Sequence, residues 1–398
     1  MTLFHKRVYA DAAAATPLSK SVKKELLRLL SLYGNPSSLH AEALAAKKEL
    51  DGARKKIAQM LGGHADEIIF TASGTEANNL VIFGTLHSYK SAHAITSAIE
   101  HSSVLEPLRA MAKEGLHLTE LPVDEQGKVD PKNVREALRE NTALVSIQMI
   151  NSEIGTIQNI REIAKEIRHA RKGRASPLYF HTDASQAPLW LSLNVEKLGV
   201  DLLTLDAQKI LGPKGVGLLF VRRSVVIEPI IYGGGQEMGK RSGTENLPQI
   251  GAFAVALDKA QKNAESNTKK ISAMRDFLFA EIQKTFPDVI LHGPVGEARR
   301  RPEGSARRVA NNLNISIPGL NGEMAVIALD AHGVAVSVRS ACDTEEEEPS
   351  HVLKAIGAST DDALYTIRIT LLPDATKRDA IRIVKALERI AARYRQKQ

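Results

Sequence analysis

The stretch DLLTLDAQKILGPKGVGLLF, residues 201–220, decides the fold. An apolar run from Leu202 to Leu205 ends at Asp206-Ala207-Gln208-Lys209, and Gly212-Pro213-Lys214-Gly215 returns the chain into a second apolar run, Val216 to Val221. Short apolar runs bounded by turn formers read as buried strands, so Lys209 is expected at a strand end. Most lysines at such turns face solvent. One wedged between buried strands loses hydration, which lowers its pKa toward the nucleophilic range and makes it a candidate for Schiff-base chemistry.

The segment just upstream raises that expectation. YFHTDASQA, residues 179–187, reads as another strand ending in Asp183 with Gln186 three positions on, and a helix is expected over 188–199 before the lysine strand. Two successive strand ends then offer a carboxylate and an amine to one crevice, the place where open α/β sheets bind ligands. An anionic partner for a pyridinium nitrogen and a lysine for an aldehyde make the inventory of a pyridoxal phosphate site.

Composition sets the outer limits. The chain has 398 residues, enough for two or three domains, with 43% hydrophobic and 25% charged residues, as in ordinary globular proteins. No apolar run is long enough to span a bilayer, and the N-terminus shows no charged segment followed by a sustained apolar one; a cytoplasmic location is expected. The single cysteine, Cys342, excludes an intrachain disulfide framework. The formal charge of +7 is spread along the chain. Its densest groups, Arg299–Arg308 and the C-terminal tail, lack interleaved aromatics, so direct nucleic-acid binding is not expected.

Taken in order, residues 1–18 read as a short strand and a turn at Pro17, and 19–33 and 40–61 as helices around the loop Gly34-Asn35-Pro36-Ser37-Ser38. From Glu67 the pattern alternates: strand EIIFTA, helix 75–89, strand HAITSA, helix 102–113, strand LHLTELP, helix 131–139, strand ALVSIQMI, helix 160–171, strand LYFHTD. A βα repeat of this kind predicts a mostly parallel, seven-stranded sheet covered by helices. TASGTEANN, residues 71–79, opens a helix with Ser73, Gly74 and Thr75 at its start, where free amides and the helix dipole favour an anion; a plain N-cap would look the same. His101 lies between the second strand and its helix, positioned for stacking or proton transfer. Asn151-Ser152 ends another strand and adds polar side chains to that edge.

After residue 221 the alternation breaks. IIYGGGQEMGKRSGTEN, residues 230–246, is rich in glycine and carries Lys240, Arg241 and Thr244, a loop able to lie against a phosphate. A long helix over 247–282 follows, then a smaller α/β unit over 287–398 with strands near NNLNISI, VAVSVR and YTIRITL. The domain division is expected as 17–258 for the larger part and 1–16 with 259–398 for the smaller. Cys342 sits in VSVRSACDTEEEEPSHVL, a polar loop expected to present an exposed thiol.

Eleven short motifs in order, DAAAATP, GNPSS, SGTEANN, EHSSV, NSEIGT, HTDASQ, QKILGPKGVG, YGGGQE, RSGTEN, SAC and TIRIT, resemble the cysteine desulfurases of the NifS/IscS type within the aminotransferase class V group. The resemblance implies a fold-type I homodimer with pyridoxal phosphate on Lys209, Asp183 on the ring nitrogen and Gln186 on the ring hydroxyl. It places His101 over the ring and Gly74 and Thr75 at the phosphate, with Thr244 reaching the phosphate across the subunit interface. Arg368 would bind the substrate carboxylate, and Asn35 and Asn151 would belong to the substrate side. L-Cysteine would give L-alanine and a persulfide on Cys342, whose sulfur passes to an acceptor protein for iron–sulfur clusters or tRNA thiolation. No metal site is implied.

Three positions depart from the resemblance. Gln208 stands where the family usually has histidine, Asp206 where it usually has serine, and Ser152 where it usually has asparagine. A carboxylate beside a phosphate dianion repels it, so Asp206 is expected either to point away or to weaken cofactor binding. Two alternatives follow: another class V activity, such as a selenocysteine lyase or aminotransferase, or an impaired homologue acting as a binding protein.

Overall fold

The computed structural model describes residues 7–87, 89, 91–295, 307–338 and 350–395. The strands are β1 Val8–Tyr9, β2 Ile68–Thr71, β3 His93–Ser97, β4 His117–Leu121, β5 Thr142–Ser146, β6 Thr156–Ile157, β7 Tyr179–Asp183, β8 Leu202–Asp206, β9 Gly217–Val221, β10 Ile290–Leu291, β11 Arg307–Arg308, β12 Asn312–Ser316, β13 Val334–Ala335 and β14 Thr366–Thr370. The helices are α1 Lys20–Leu29, α2 Ala41–Leu61, α3 Gly74–Leu86, α4 Ser102–Lys113, α5 Pro131–Ala137, α6 Ile160–Ala170, α7 Val195–Leu198, α8 Leu247–Thr285, α9 Gly322–Ala331, α10 His351–Ala355, α11 Thr360–Leu364 and α12 Lys377–Arg395.

The central sheet runs β2-β9-β8-β7-β5-β3-β4, and β9 alone lies antiparallel to its neighbours. Side chains alternate across a strand, and here both faces are covered. Ile69, Leu144, Leu202 and Leu219 bury one face with residues of α3 and α4. Phe70, Val145, Leu203 and Leu218 bury the other in the core that includes residues of α2, α6 and α8. The fold is therefore α/β with a mostly parallel sheet, as the alternation indicates.

A second, smaller sheet, β10-β12-β14, is antiparallel, and β1 pairs in parallel with β13. The boundary expected near residue 258 falls inside α8, one uninterrupted helix of 39 residues. This helix contacts α1, α2, α12 and β12, so it belongs to both parts.

Two expected elements shrink. The N-terminal strand is reduced to Val8–Tyr9 within the described residues. The helix expected over 188–199 survives only as Val195–Leu198. Upstream of it, carbonyls that a helix would use internally bond instead to α8: Gln261 Nε2 donates to Pro188 and Leu191, Asn267 Nδ2 to Leu189, and Thr268 Oγ1 to Trp190. A distant helix thus satisfies the backbone that local periodicity assigns to a helix.

Candidate active site

The C-terminal ends of β7 and β8 meet the N-termini of α3 and α4 around a cavity of about 270 Å³. Gly74, Thr75, His101, Ser152, Asp183, Gln186, Asp206, Gln208, Lys209 and Arg368 all line it, so ten of the residues singled out from sequence converge. Lys209 ends a 3₁₀ turn directly after β8, and its Nζ donates to the carbonyls of Ala13 and Ala14 at 2.9 and 2.7 Å. The N-terminal segment fixes that turn: Thr16 N and Oγ1 both donate to Gln208 O, and Leu211 N donates back to Thr16 Oγ1.

Asp183 closes β7. Its Oδ1 accepts from Ser185 N at 2.9 Å and its Oδ2 from Asn78 Nδ2 at 2.8 Å, which fixes the plane of the carboxylate. The Asn78 amide also donates to Ser103 Oγ at 2.8 Å. His101 is the N-cap of α4, its Nδ1 accepting from Ser103 N at 3.1 Å. A ring nitrogen that accepts carries no proton, so in the neutral ring the proton sits on Nε2.

Behind this wall lies Glu100, buried, with both carboxyl oxygens within 3.0 Å of Gln148 N. Burial pushes its carboxyl up to about 8. Burial also holds the ring of His181, two residues before Asp183, down at about 4, between Ser146 Oγ and Thr204 Oγ1.

At the other end, Ser73 caps α3 by accepting from Glu76 N at 3.1 Å, and Glu76 pairs with Arg241 of the glycine-rich loop at 2.8 Å. That loop is held a second time by Glu237, whose carboxylate pairs with Arg54 at 2.7 Å and accepts from Phe70 N at 2.9 Å. Asp206 does not point away from α3. Its Oδ2 accepts from Gly74 N at 3.2 Å, and Gln208 supplies its backbone N and its Nε2 to the same carboxylate at 3.1 Å each.

Arg368 reaches the cavity from the middle of β14 while being only 1% exposed. Asp11 pairs with its Nη2 at 2.9 Å. Its Nε is buried and has no hydrogen-bond partner among the described residues, a donor that suits a carboxylate ligand.

Three residues expected at the site lie outside the cavity lining in this chain. Asn151 is buried below it, its Oδ1 accepting from Glu153 N and Ile154 N and its Nδ2 donating to Ile99 O, so its amide holds the loop and is not free for substrate. Asn35 and Thr244 are exposed, and Asn35 Oδ1 accepts from Ser37 N. Cys342 lies outside the described residues. Sequence reasoning overlooked Asn78, although it stands in the quoted TASGTEANN one helical turn after Gly74. It also quoted DAAAATP without assigning a role to Asp11 or to the Ala13 and Ala14 carbonyls, whose partners lie far away in the chain.

The set fits pyridoxal phosphate: an amine for the aldehyde, a fixed carboxylate for the ring nitrogen, an imidazole at the wall and a helix start for the phosphate. A Cβ on Gly74 would meet Asp206 and Ser185 at 3.2 to 3.3 Å, so the cradle has little room for a side chain there. Asn78 Oδ1 is a further buried acceptor with no partner among the described residues.

Comparison with known proteins agrees with this chemistry. The aminotransferase class V family matches residues 8–383. A cysteine desulfurase IscS of Dictyoglomus turgidum is 41% identical over 98% of this chain and 96% of its own length. Among solved structures, a NifS-like protein superposes with a TM-score of 0.87 at 30% identity, covering 97% of this chain and 99% of that one. The structure of SspA in complex with cysteine gives a TM-score of 0.76 at 31% identity, covering 93% and 100%. The match extends over nearly the whole chain, and the chain belongs to the aminotransferase class V family, among its NifS/IscS-like cysteine desulfurases.

Proposed function

We propose that this cavity takes L-cysteine, releases L-alanine and passes the sulfur to Cys342 as a persulfide. The observation that carries the reading is the convergence of Lys209, Asp183 and Arg368 from three separate elements on one small cavity. A structural relative, SspA in complex with cysteine, supports the substrate.

Pyridoxal phosphate, when bound, supplies an electron-withdrawing ring that stabilises negative charge on the substrate's α-carbon. Lys209 would hold it and then use Nζ to take the α-proton. Asp183, oriented by Asn78 and Ser185, would hold the proton on the ring nitrogen. Gln186, Ser152 and His101 would line the ring, Gly74, Thr75 and Gln208 would face the phosphate, and Arg368 would form charge-assisted bonds to the substrate carboxylate. The Cys342 thiolate attacks the substrate sulfur. An S–S bond forms, the Cβ–S bond breaks with its electron pair left on the carbon skeleton, and protonation of that skeleton, with His101 Nε2 as proton carrier, gives L-alanine.

In this reading residues 17–258 hold the cofactor, and residues 1–16 with 259–398 carry Arg368 and Cys342. The chain works as a homodimer in which Thr244, exposed on its own protomer, reaches the phosphate of the second copy, and Asn35 lies near the substrate entrance. Among the described residues no helix is long and apolar enough to cross a membrane. The sulfur goes to an acceptor protein in the cytoplasm, serving iron–sulfur clusters or tRNA thiolation.

The test measures alanine and sulfide from L-cysteine in the presence of reductant, wild type beside Lys209→Ala and Cys342→Ala. Both products should form at equal rates and vanish in both variants. Alanine production at the wild-type rate by Cys342→Ala would overturn the persulfide step.

A further inference from the structure

The anion cradle at the start of α3 already holds an anion of the protein's own. Asp206 is 7% exposed, and it uses both oxygens on N–H donors: Gly74 N, Gln208 N and Gln208 Nε2. Gly74 N is one of the first amides of α3, the group that an incoming phosphate needs. The Gln208 amide that would face the phosphate is spent on the same carboxylate.

Other charged groups surround this point. Lys209 follows on the same turn, Asp183 stands at the end of β7, His101 at the start of α4, and Arg368 reaches in from β14. On α3, Glu76 is paired with Arg241, and Arg368 is paired with Asp11. Asp183 and Asp206 are the two acidic residues among those that line the cavity.

Resting on the pyridoxal phosphate reading above, the geometry points to a proton-linked cofactor site. Phosphate binds here only with uptake of one proton, which sits between the Asp206 carboxyl and a phosphate oxygen. Two ionised oxygens at contact distance repel, whereas an O–H···O⁻ pair is a short, strong hydrogen bond. The proton comes from solvent. No covalent bond changes, Gln208 keeps its grip on the other carboxyl oxygen, and Gly74 N is freed to turn from the carboxylate to the phosphate. Asp206 and Gln208 thereby act as residues that set how strongly the site prefers a phosphorylated over an unphosphorylated ligand, and at which pH.

The experiment compares pyridoxal phosphate with pyridoxal, which has the same aldehyde but no phosphate. Binding of each to the apoprotein is followed by isothermal titration calorimetry between pH 7 and 9, in two phosphate-free buffers of different ionisation enthalpy. Above pH 7 the free phosphate, with a second pKa of about 6, is a dianion. Wild type should take up about one more proton per pyridoxal phosphate than per pyridoxal, and the ratio of the two affinities should fall about tenfold per pH unit. In Asp206→Ser and in the isosteric Asp206→Asn the extra proton should vanish and the ratio should become flat. The phosphorus resonance of bound cofactor gives a reading independent of folding and turnover: its position should move from the monoanion toward the dianion on going from wild type to Asp206→Asn. Equal proton uptake for the two ligands in wild type, or a phosphorus resonance unchanged by the substitution, would overturn the inference while leaving the cofactor assignment intact. Failure of both ligands to bind would overturn the cofactor reading and the inference with it.

Discussion

Strand β2 is the edge of the central sheet, and its outward backbone groups are covered by an ion pair from two distant segments. Arg54 Nη1 donates to Ile68 O at 2.5 Å and to Glu237 Oε2 at 2.7 Å, and Glu237 Oε2 accepts from Phe70 N at 2.9 Å. The side chains of Arg54 and Glu237 are 13% and 2% exposed, and the guanidinium lies 4.7 Å from the centre of the Phe70 ring. Glu237 and Met238 both adopt left-handed backbone, with φ of 47° and 58°. Two such non-glycine residues cost about 1–2 kcal/mol each. Removing one member of a buried pair costs about 3–5 kcal/mol because the other charge is stranded. Glu237→Met should therefore open the segment around 235–243 and unmask Phe70 N. A local loss of about 3 kcal/mol corresponds to exchange roughly two decades faster. Amide hydrogen exchange followed by mass spectrometry, on peptides covering 68–71 and 236–242, reads this directly. A cycle with Arg54→Met and the double variant should show coupling of at least about 2 kcal/mol. Additivity within about 0.5 kcal/mol, or an unchanged exchange rate in the 68–71 peptide, would refute the reasoning.

Three further expectations rest on other sites. Because burial raises the Glu100 carboxyl to about 8, the folded chain binds a proton that the unfolded chain releases; stability is full below the ordinary value of 4.5 and falls as pH rises to about 8. Glu100→Gln should flatten that decline in urea titrations from pH 5 to 8, and an identical decline would dismiss Glu100 as its source. His181 has the opposite sign: with its ring held at about 4 by burial, its contribution is present above the ordinary 6.5 and is lost as pH falls toward 4. His181→Asn should weaken the acid dependence while lowering stability at pH 7 by about 1–3 kcal/mol through its lost bonds, and an unaltered acid limb would refute this. A Cβ at Gly217 would lie 2.4 Å from the backbone carbon of Ser73 at the cap of α3. Backbone yields poorly, so Gly217→Ala should cost about 1–3 kcal/mol and weaken phosphate binding, measured by thermal shift with and without pyridoxal phosphate; wild-type behaviour in both would count against the close approach.

How much of this was readable from the chain depends on how local each signal is. The sheet was legible because each βα unit carries its own apolar run and its own turn formers. Lys209, Asp183, His101 and Gly74 were legible for the same reason, since each stands where a strand gives way to a turn or helix. Arg368 is different. Within TIRIT it is a charge in a strand that only the resemblance singles out, and what makes it tolerable is Asp11, 357 positions away. The helix expected over 188–199 failed because its carbonyls are captured by α8, again a distant partner. The Ala13 and Ala14 carbonyls hold Lys209 through backbone atoms, which any residue would supply.

The segment from Val8 to Thr16 has a bearing on how the chain reaches its native state. It pairs with Val334 and Ala335, donates from Ala13 N to Thr370 Oγ1 across 357 positions, and clasps the turn of Lys209. At about 5–20 residues per second, ribosomal synthesis leaves this segment without its strand partner on the order of tens of seconds. A stretch made long before the strand it pairs with is thus among the last to find its place, and the lysine waits for it.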